Sequence, residues 1–285
     1  MRCFINHASL PRFSYHQITF KPQAVHGVGL LGKTAIITGS NTGVGFETAR
    51  QLLHLGLNKL TLAVRSEEKG RVAATTLSPS DVNRVEVWHL DLREYDSVTG
   101  HDETIQVNYL STTLLAILLL PVVKAARANQ LAPTRITFTS SEGAAWAKFN
   151  LSQETPILAA LDKEEQGVDT VDRMFVSKLL GQLFLNELAK RLPPSVAVIN
   201  PASAGSIIMR RVANTAVVGA RMMTDAILNH GEQAHGQFLS FQPLVPTAPI
   251  IYAAEGEKVT KQLWKEMLEE LAFVCPEDIL QAVRA

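Results

Sequence analysis

From Lys33 onward, apolar and polar positions alternate between two rhythms. Short β-rich runs are followed by stretches with apolar residues at helical spacing, the pattern of βαβ units that build a parallel sheet. The first run, Thr34 to Thr38 (TAIIT), is a continuous apolar strand followed by glycine. A helix follows from about Gly45, with Phe46, Ala49, Leu52 and Leu53 on one face and Gly56 as its stop. Lys59 to Val64 and Val85 to His89 read as the second and third strands, and Arg135 to Thr139, Ser195 to Asn200 and the fainter Gln237 to Phe241 as later ones. The most apolar stretch, Leu110 to Val123, contains Ser111, Thr112, Thr113 and Pro121 and falls short of the roughly 20 residues that span a bilayer, so it predicts a buried helix. Near the C-terminus, Leu263, Met267, Leu268 and Leu271 fall at helical spacing within Val259 to Leu271 and predict a packing helix.

Asp91 to Tyr109 breaks the rhythm: it is polar throughout and offers no apolar run long enough for a buried strand. No internal repeat or linker-like shift divides the chain. The expectation is an α/β, Rossmann-type, doubly wound parallel sheet in a single domain over residues 31–285, preceded by an N-terminal arm over 1–30. The first 46 residues contain no acid but include Arg2, Arg12 and Lys21, without the apolar run of a secretory signal. They are expected to form a disordered or surface-hugging arm rather than a transit peptide.

Composition then removes partners. Lysine plus arginine total 27 and aspartate plus glutamate total 27, so no basic field attracts nucleic acid or anionic lipid. The two cysteines, Cys3 and Cys275, have no spacing for a disulfide framework, zinc site or redox motif. A cytoplasmic setting with no metal and no membrane span is expected. His230, His235 and Trp264 form no metal or triad spacing and read as structural or surface residues.

The chemistry begins at Thr38 to Gly45, TGSNTGVG, between a buried strand and a helix. There Gly39, Gly43 and Gly45 can turn tightly and bring backbone close to a pyrophosphate, with Ser40, Asn41 and Val44 completing the turn. Twenty positions on, Arg65 stands where an acid would bind the ribose hydroxyl of NAD; its planar fork suits the 2′-phosphate of NADP.

The stretches GKTAIITGSNTGVG at 32–45, VWHLDLREYDSV at 87–98, GHDETIQVNYLSTTLLAILLLP at 100–121, ITFTSSEG at 136–143, VSKLL at 176–180 and NP at 200–201 resemble the short-chain dehydrogenase/reductase superfamily. They are closest to its retinol-dehydrogenase-like and WW-domain-oxidoreductase-like branch and to members from fungal natural-product pathways. The resemblance implies that Asp91 and Leu92 contact the adenine ring, and that Ser141 hydrogen-bonds the substrate carbonyl. It also implies that Lys178 grips the nicotinamide ribose, Asn108 supports a proton path to that lysine, and Ser206 contacts the nicotinamide amide. Small-molecule substrate, NADP(H) and a possible homo-oligomer follow from the same resemblance.

Three departures temper it. The family's tyrosine, four residues before Lys178, is replaced by Met174 in MFVSK, and a thioether has no proton to give. Tyr95, Tyr109 and Tyr252 substitute only if the fold brings one close. The helix and central strand ending in Asn-Ala-Gly are absent, because DSV at 96–98 runs almost directly into GHDETIQVN. Either the first strand takes a new neighbour, or the sequence comes from a transcript or gene model that lost a segment. Third, Ala202 stands in NPASAGS where glycine is usual. The resulting expectation is an NADP(H)-dependent oxidoreductase interconverting a carbonyl and a secondary alcohol on a small or medium apolar metabolite, within secondary metabolism. The alternative is a catalytically impaired relative that binds NADP(H) or a partner protein.

Overall fold

The computed structural model describes residues 9–94, 101–149, 156–163, 169–203 and 215–284. These residues form two compact units, one drawn from the described residues of 15–91 and 215–230, the other from those of 9–14, 92–203 and 231–284.

The first unit carries a parallel sheet of β1 (Thr34–Thr38), β2 (Lys59–Val64) and β3 (Val85–His89), in that order. Helices α2 (Gly43–His54) and α3 (Glu67–Leu77) follow the first two strands. Ser66 starts α3 by accepting from Lys69 N at 3.3 Å, and Glu67 and Glu68 place negative charge in its first turn. Gly70 brings α3 close to the sheet, since a Cβ there would lie 2.6 Å from Val87 and 2.7 Å from Val64. Leu52, Leu60, Leu62 and Val85 lie in the apolar core, and Arg84 donates to the carbonyls of Leu53 and Leu57. Helix α7 (Ala216–Leu228) is fastened to α2 through Gln51, which donates to Val217 O at 3.1 Å and accepts from Thr224 Oγ1 at 2.9 Å.

The second unit has strand order β4 (Thr134–Ser140), β5 (Ala197–Ser203), β6 (Phe238–Leu239) and β7 (Leu244–Val245), with only the last pair antiparallel. Helices α4 (Ser111–Arg127), α5 (Ile157–Lys163), α6 (Thr170–Arg191), α8 (Ala254–Glu270) and α9 (Pro276–Arg284) surround its larger core. Buried Glu266 of α8 accepts from Ile157 N and Leu158 N, both at 2.8 Å, and so satisfies the first amides of α5 from another helix. Trp264 stacks on Phe184 and carries the Arg191 guanidinium 4.3 Å above its ring.

The sheets follow the expected strands, with differences at the edges. β5 continues through Ser203 because β4 supplies a partner as far as Ser140, while the last parallel run shrinks to two residues. Among the described residues no strand lies between His89 and Thr134, and β1 ends its sheet on one side as β4 ends the other. The first strand therefore takes no new neighbour among them, and Ile36 is 41% exposed.

One expectation needs correcting and another gains detail. Leu110 to Val123 is buried on one face only: Ala116, Ile117 and Leu120 pack inside, while Leu118 and Val122 are exposed. The helix Glu103–Arg127 is long and apolar enough to cross a membrane by length and composition, a test that core helices of soluble proteins also pass. The arm contains a helix, α1 (Leu10–Thr19), and its Phe13 is buried against Trp146 with ring centroids 5.1 Å apart. An apolar residue every few positions is too sparse a signal at 10–19 to have announced that packing.

Candidate functional site

In the first unit, β1 gives way to a turn at its carboxyl end. Gly39 and Gly43 adopt φ of 62° and 64°, a region L side chains rarely enter, and a Cβ at either would meet nothing within 4 Å. That leaves open space above bare backbone. Gly45 has the opposite role: a Cβ there would lie 2.8 Å from Gly39 O and 3.0 Å from Ser40 Cα, so its absence lets α2 start tight against the turn. Gly39 N donates to Ala63 O at 2.9 Å and the buried Ser40 hydroxyl to Ile37 O at 2.7 Å, locking the turn to the sheet. Thr42, the residue before α2, makes no side-chain capping bond, so the first amides of the helix remain available to an anion. Asn41 and Val44 flank this opening and are partly buried.

Arg65 stands exposed at the end of β2 and makes no hydrogen bond or ion pair among the described residues. Asp91 is partly buried at the end of the unit. This cradle fits a dinucleotide: the pyrophosphate would meet the open glycine backbone, and the free guanidinium suits a further phosphate.

In the second unit, Ser141 and Lys178 meet at the carboxyl end of β4, and Asn108 and Met174 are linked through Ser177, the neighbour of Lys178. Ser141 follows the strand directly; its Oγ accepts from Gly143 N at 3.0 Å, so it begins the 3-10 turn Glu142–Trp146 and keeps its own proton to donate. From α6, Lys178 donates to Thr139 O at 3.1 Å, and Gln182, one turn on, donates to Ser140 Oγ at 3.0 Å and Ser141 O at 3.3 Å. Burial lowers the pKa of Lys178. Asn108 lies in a π-helical turn, Gln106–Leu110, before α4, an irregularity that helices often carry at functional sites. Its amide donates to Ser177 Oγ at 3.1 Å, and that hydroxyl donates to Met174 O at 2.8 Å. Leu92 belongs to this unit, where its carbonyl accepts from Ser111 Oγ at 2.6 Å.

Of the candidate tyrosines, neither Tyr109 nor Tyr252 replaces the missing phenol. Tyr109 is buried with its hydroxyl on Leu263 O at 3.5 Å, its pKa raised by burial and then by Glu266, and Tyr252 accepts from Thr247 N and Oγ1. Tyr95 and Ser206, with most of the loop that follows β5, lie outside the described residues. The histidines fasten structure: His230 pairs with Asp225 at 2.8 Å, and His235 accepts from Ile199 N and reaches Ala189 O.

Sequence reasoning passed over two groups. Buried Gln182 also accepts from Ala248 N at 2.9 Å and so joins three segments; nothing in VSKLLGQ announces that reach. Glu142 receives the Ser203 hydroxyl at 2.9 Å on one oxygen and the Ser240 hydroxyl on the other. Burial pushes its carboxyl up to about 7, against the lowering effect of its own backbone amide and of Ser203. A charge directly after the serine in TSSEG was the available signal.

The profile of the short chain dehydrogenase family matches residues 33–119. The chain is 33% identical to short-chain dehydrogenase FogG of Aspergillus ruber, over 93% of this chain and 92% of that protein. It is likewise 33% identical to short chain dehydrogenase/reductase MfmJ of Annulohypoxylon moriforme, over 96% and 94%. The FogG alignment runs over 324 positions, whereas 93% of 285 residues is about 265, so about 59 positions of the relative face no residue here. That shortfall exceeds the roughly 30 residues of a βαβ unit. Among solved structures, an uncharacterised protein of Mycobacterium paratuberculosis has the same fold, with a TM-score of 0.64 at 23% identity over 87% of this chain and 97% of that one. The NADPH-bound carbonyl reductase from chicken fatty liver gives 0.58 at 16% identity, over 80% and 98%.

Proposed function

Because the chain belongs to the short-chain dehydrogenase/reductase superfamily, we propose that it is an NADP(H)-dependent oxidoreductase that interconverts a carbonyl and a secondary alcohol on a small or medium apolar metabolite. The observation that carries this reading lies at the end of β4, where Ser141 keeps a proton to donate and Lys178 reaches Thr139 O from α6, with Asn108 of the π turn bonded to the adjacent Ser177. The preference for NADP(H) rests on Arg65, a free guanidinium at the end of β2. The edge-on pair Trp146 and Phe175, centroids 5.7 Å apart, flanks the serine turn and supports an apolar substrate. Fungal relatives support a place in secondary metabolism.

When bound, NADPH supplies hydride to the substrate carbon. Gly39, Gly43 and the first amides of α2 would hold its pyrophosphate, and Arg65 its 2′-phosphate. Lys178 would leave Thr139 O for the nicotinamide ribose, and Asn108 would hold the Ser177 side of α6 in place. Ser141 donates to the carbonyl oxygen and draws charge onto it. Met174 contributes no proton, so this site is expected to turn over slowly, by about 10²–10⁴ relative to one with a positioned acid.

Met174 also favours a second reading, a relative that binds NADP(H) without turnover. The first experiment is a titration with NADPH and with NADH, followed by cofactor fluorescence. Saturable micromolar binding, weaker for NADH, is expected; absence of binding to either would refute the oxidoreductase reading and the cofactor-binding one together.

A further inference from the structure

Glu142 is a titratable group that the chemistry above leaves unused. It follows Ser141 directly, and its carboxyl is enclosed at the carboxyl end of the sheet, where parallel α/β sheets bind their ligands. Ser203 closes β5 as the partner of Ser140, and Ser240 follows β6 directly, so β4, β5 and β6 each deliver a hydroxyl-bearing residue to this end. A serine hydroxyl both donates and accepts. Ser203 and Ser240 therefore satisfy the Glu142 carboxylate as donors, and either satisfies the protonated acid as an acceptor.

The charged groups of the neighbouring elements point elsewhere. On α6, Asp172 accepts from Lys148 N, Arg173 lies 3.8 Å from Asp102 and donates to Leu161 O, and Lys178 is on Thr139 O. No coulombic partner contributes to the raised pKa of Glu142. The carboxyl is thus balanced near neutrality by enclosure against its own backbone amide and the Ser203 hydroxyl.

We propose that Glu142 is the proton-holding residue of the Ser141 site, releasing its proton through the Ser203 hydroxyl to the substrate oxygen in place of the phenol that Met174 lacks. The proposal rests on the oxidoreductase reading. In reduction, hydride from NADPH forms the C–H bond and the carbonyl electron pair moves to oxygen. The Ser203 O–H proton passes to that oxygen, and the Glu142 proton restores the Ser203 hydroxyl. Glu142 is left as a carboxylate and is reprotonated by water; NADPH leaves as NADP⁺. Oxidation runs the same transfers in reverse. Glu142 acts through Ser203 and touches no substrate itself.

Two measurements test this. The first is pH-difference infrared spectroscopy, which needs no substrate: a protonated-carboxyl band titrating near neutrality, absent in Glu142→Gln, is expected. Its absence from the unsubstituted protein at pH about 6 would overturn the proposal. The second compares NADPH-dependent reduction of para-nitrobenzaldehyde by the unsubstituted protein, E142Q, M174Y and the double variant across pH. The expected rate falls as pH rises through neutrality, and E142Q lowers the acid-side rate by about 10–100-fold with unchanged NADPH affinity and a flat profile. In the M174Y background the same change costs less than about threefold, because the phenol then supplies the proton. An equal cost in both backgrounds would mark Glu142 as structural and overturn the proposal, as would turnover by M174Y alone. Loss of NADPH binding in the unsubstituted protein would instead strike the oxidoreductase reading itself.

Discussion

The glycine-turn unit and the Ser141 unit depart from the family pattern in opposite ways. In the first, the glycine turn proposed to hold a dinucleotide keeps its open backbone, while among the described residues the sheet ends at β1. In the second, β4 has β5 along its whole length and the polar groups converge, but the side chain at 174 has the wrong atom. Binding through backbone amides depends on the path of the chain, and the turn keeps that path although no strand pairs with the outer side of β1 among the described residues. Proton transfer depends on a positioned acid, and with a thioether at 174 that acid must be another group of the site.

The comparison is broken hardest by substituting Gly45. Gly45→Val would drive a branched side chain into Gly39 O and should weaken NADPH binding at least about 100-fold by fluorescence titration, with Ser141-side variants unaffected. Unchanged affinity would mean that the turn does not hold the dinucleotide. Next comes Met174→Tyr, expected to raise the steady-state rate of carbonyl reduction by about 10–100-fold without altering NADPH affinity. No gain would mean that Lys178 and Ser141, though hydrogen-bonded as described, are not placed for chemistry. A smaller effect is expected from Arg65→Ala, which should weaken NADPH about tenfold and leave NADH unchanged in parallel calorimetric titrations. Equal losses for both cofactors would remove the argument for NADP(H).

The smallest effect is one of stability. The pKa of Glu142 is raised on folding to about 7 from 4.5, so the native state binds more protons than the unfolded chain between those values. Its contribution is fully present below pH about 4.5 and is lost as pH rises through about 7. Glu142→Gln should therefore stabilise the protein by about 1 kcal/mol at pH about 8, well under the full shift because the native chain can relax and admit water around an ionised carboxylate, and leave it unchanged at pH about 4. Thermal melts at both values measure the difference, and equal shifts would show that titration is not involved.

The sequence made the glycine turn legible because each part of it is local: a β-branched strand, three glycines and an amphipathic helix within about twenty positions. Ser141, Lys178 and Asn108 became legible only through resemblance, since they lie far apart in the chain and nothing periodic links them. The missing strand was legible as a polar stretch too short for a crossover. Glu142 and Gln182 were not, because their significance lies in hydroxyls and amides contributed by Ser203, Ser240 and Ala248 from distant segments. Phe13 was hidden for the same reason: its burial is made by Trp146 and Phe241.

Among the described residues only β2 pairs with β1, which divides that strand residue by residue. Gly39 N is turned to Ala63 O and Lys33 O accepts from Lys59 N, so the odd-numbered residues between them direct both amide and carbonyl toward β2. Thr34, Ile36 and Thr38 direct theirs outward. In deuterated water, Ala35 and Ile37 should hold their amide protons with the stability of the whole unit, whereas Ile36 and Thr38 should lose theirs almost as fast as an unfolded chain. One strand would then keep two clocks, and a strand paired along its outer side would bring them to the same time.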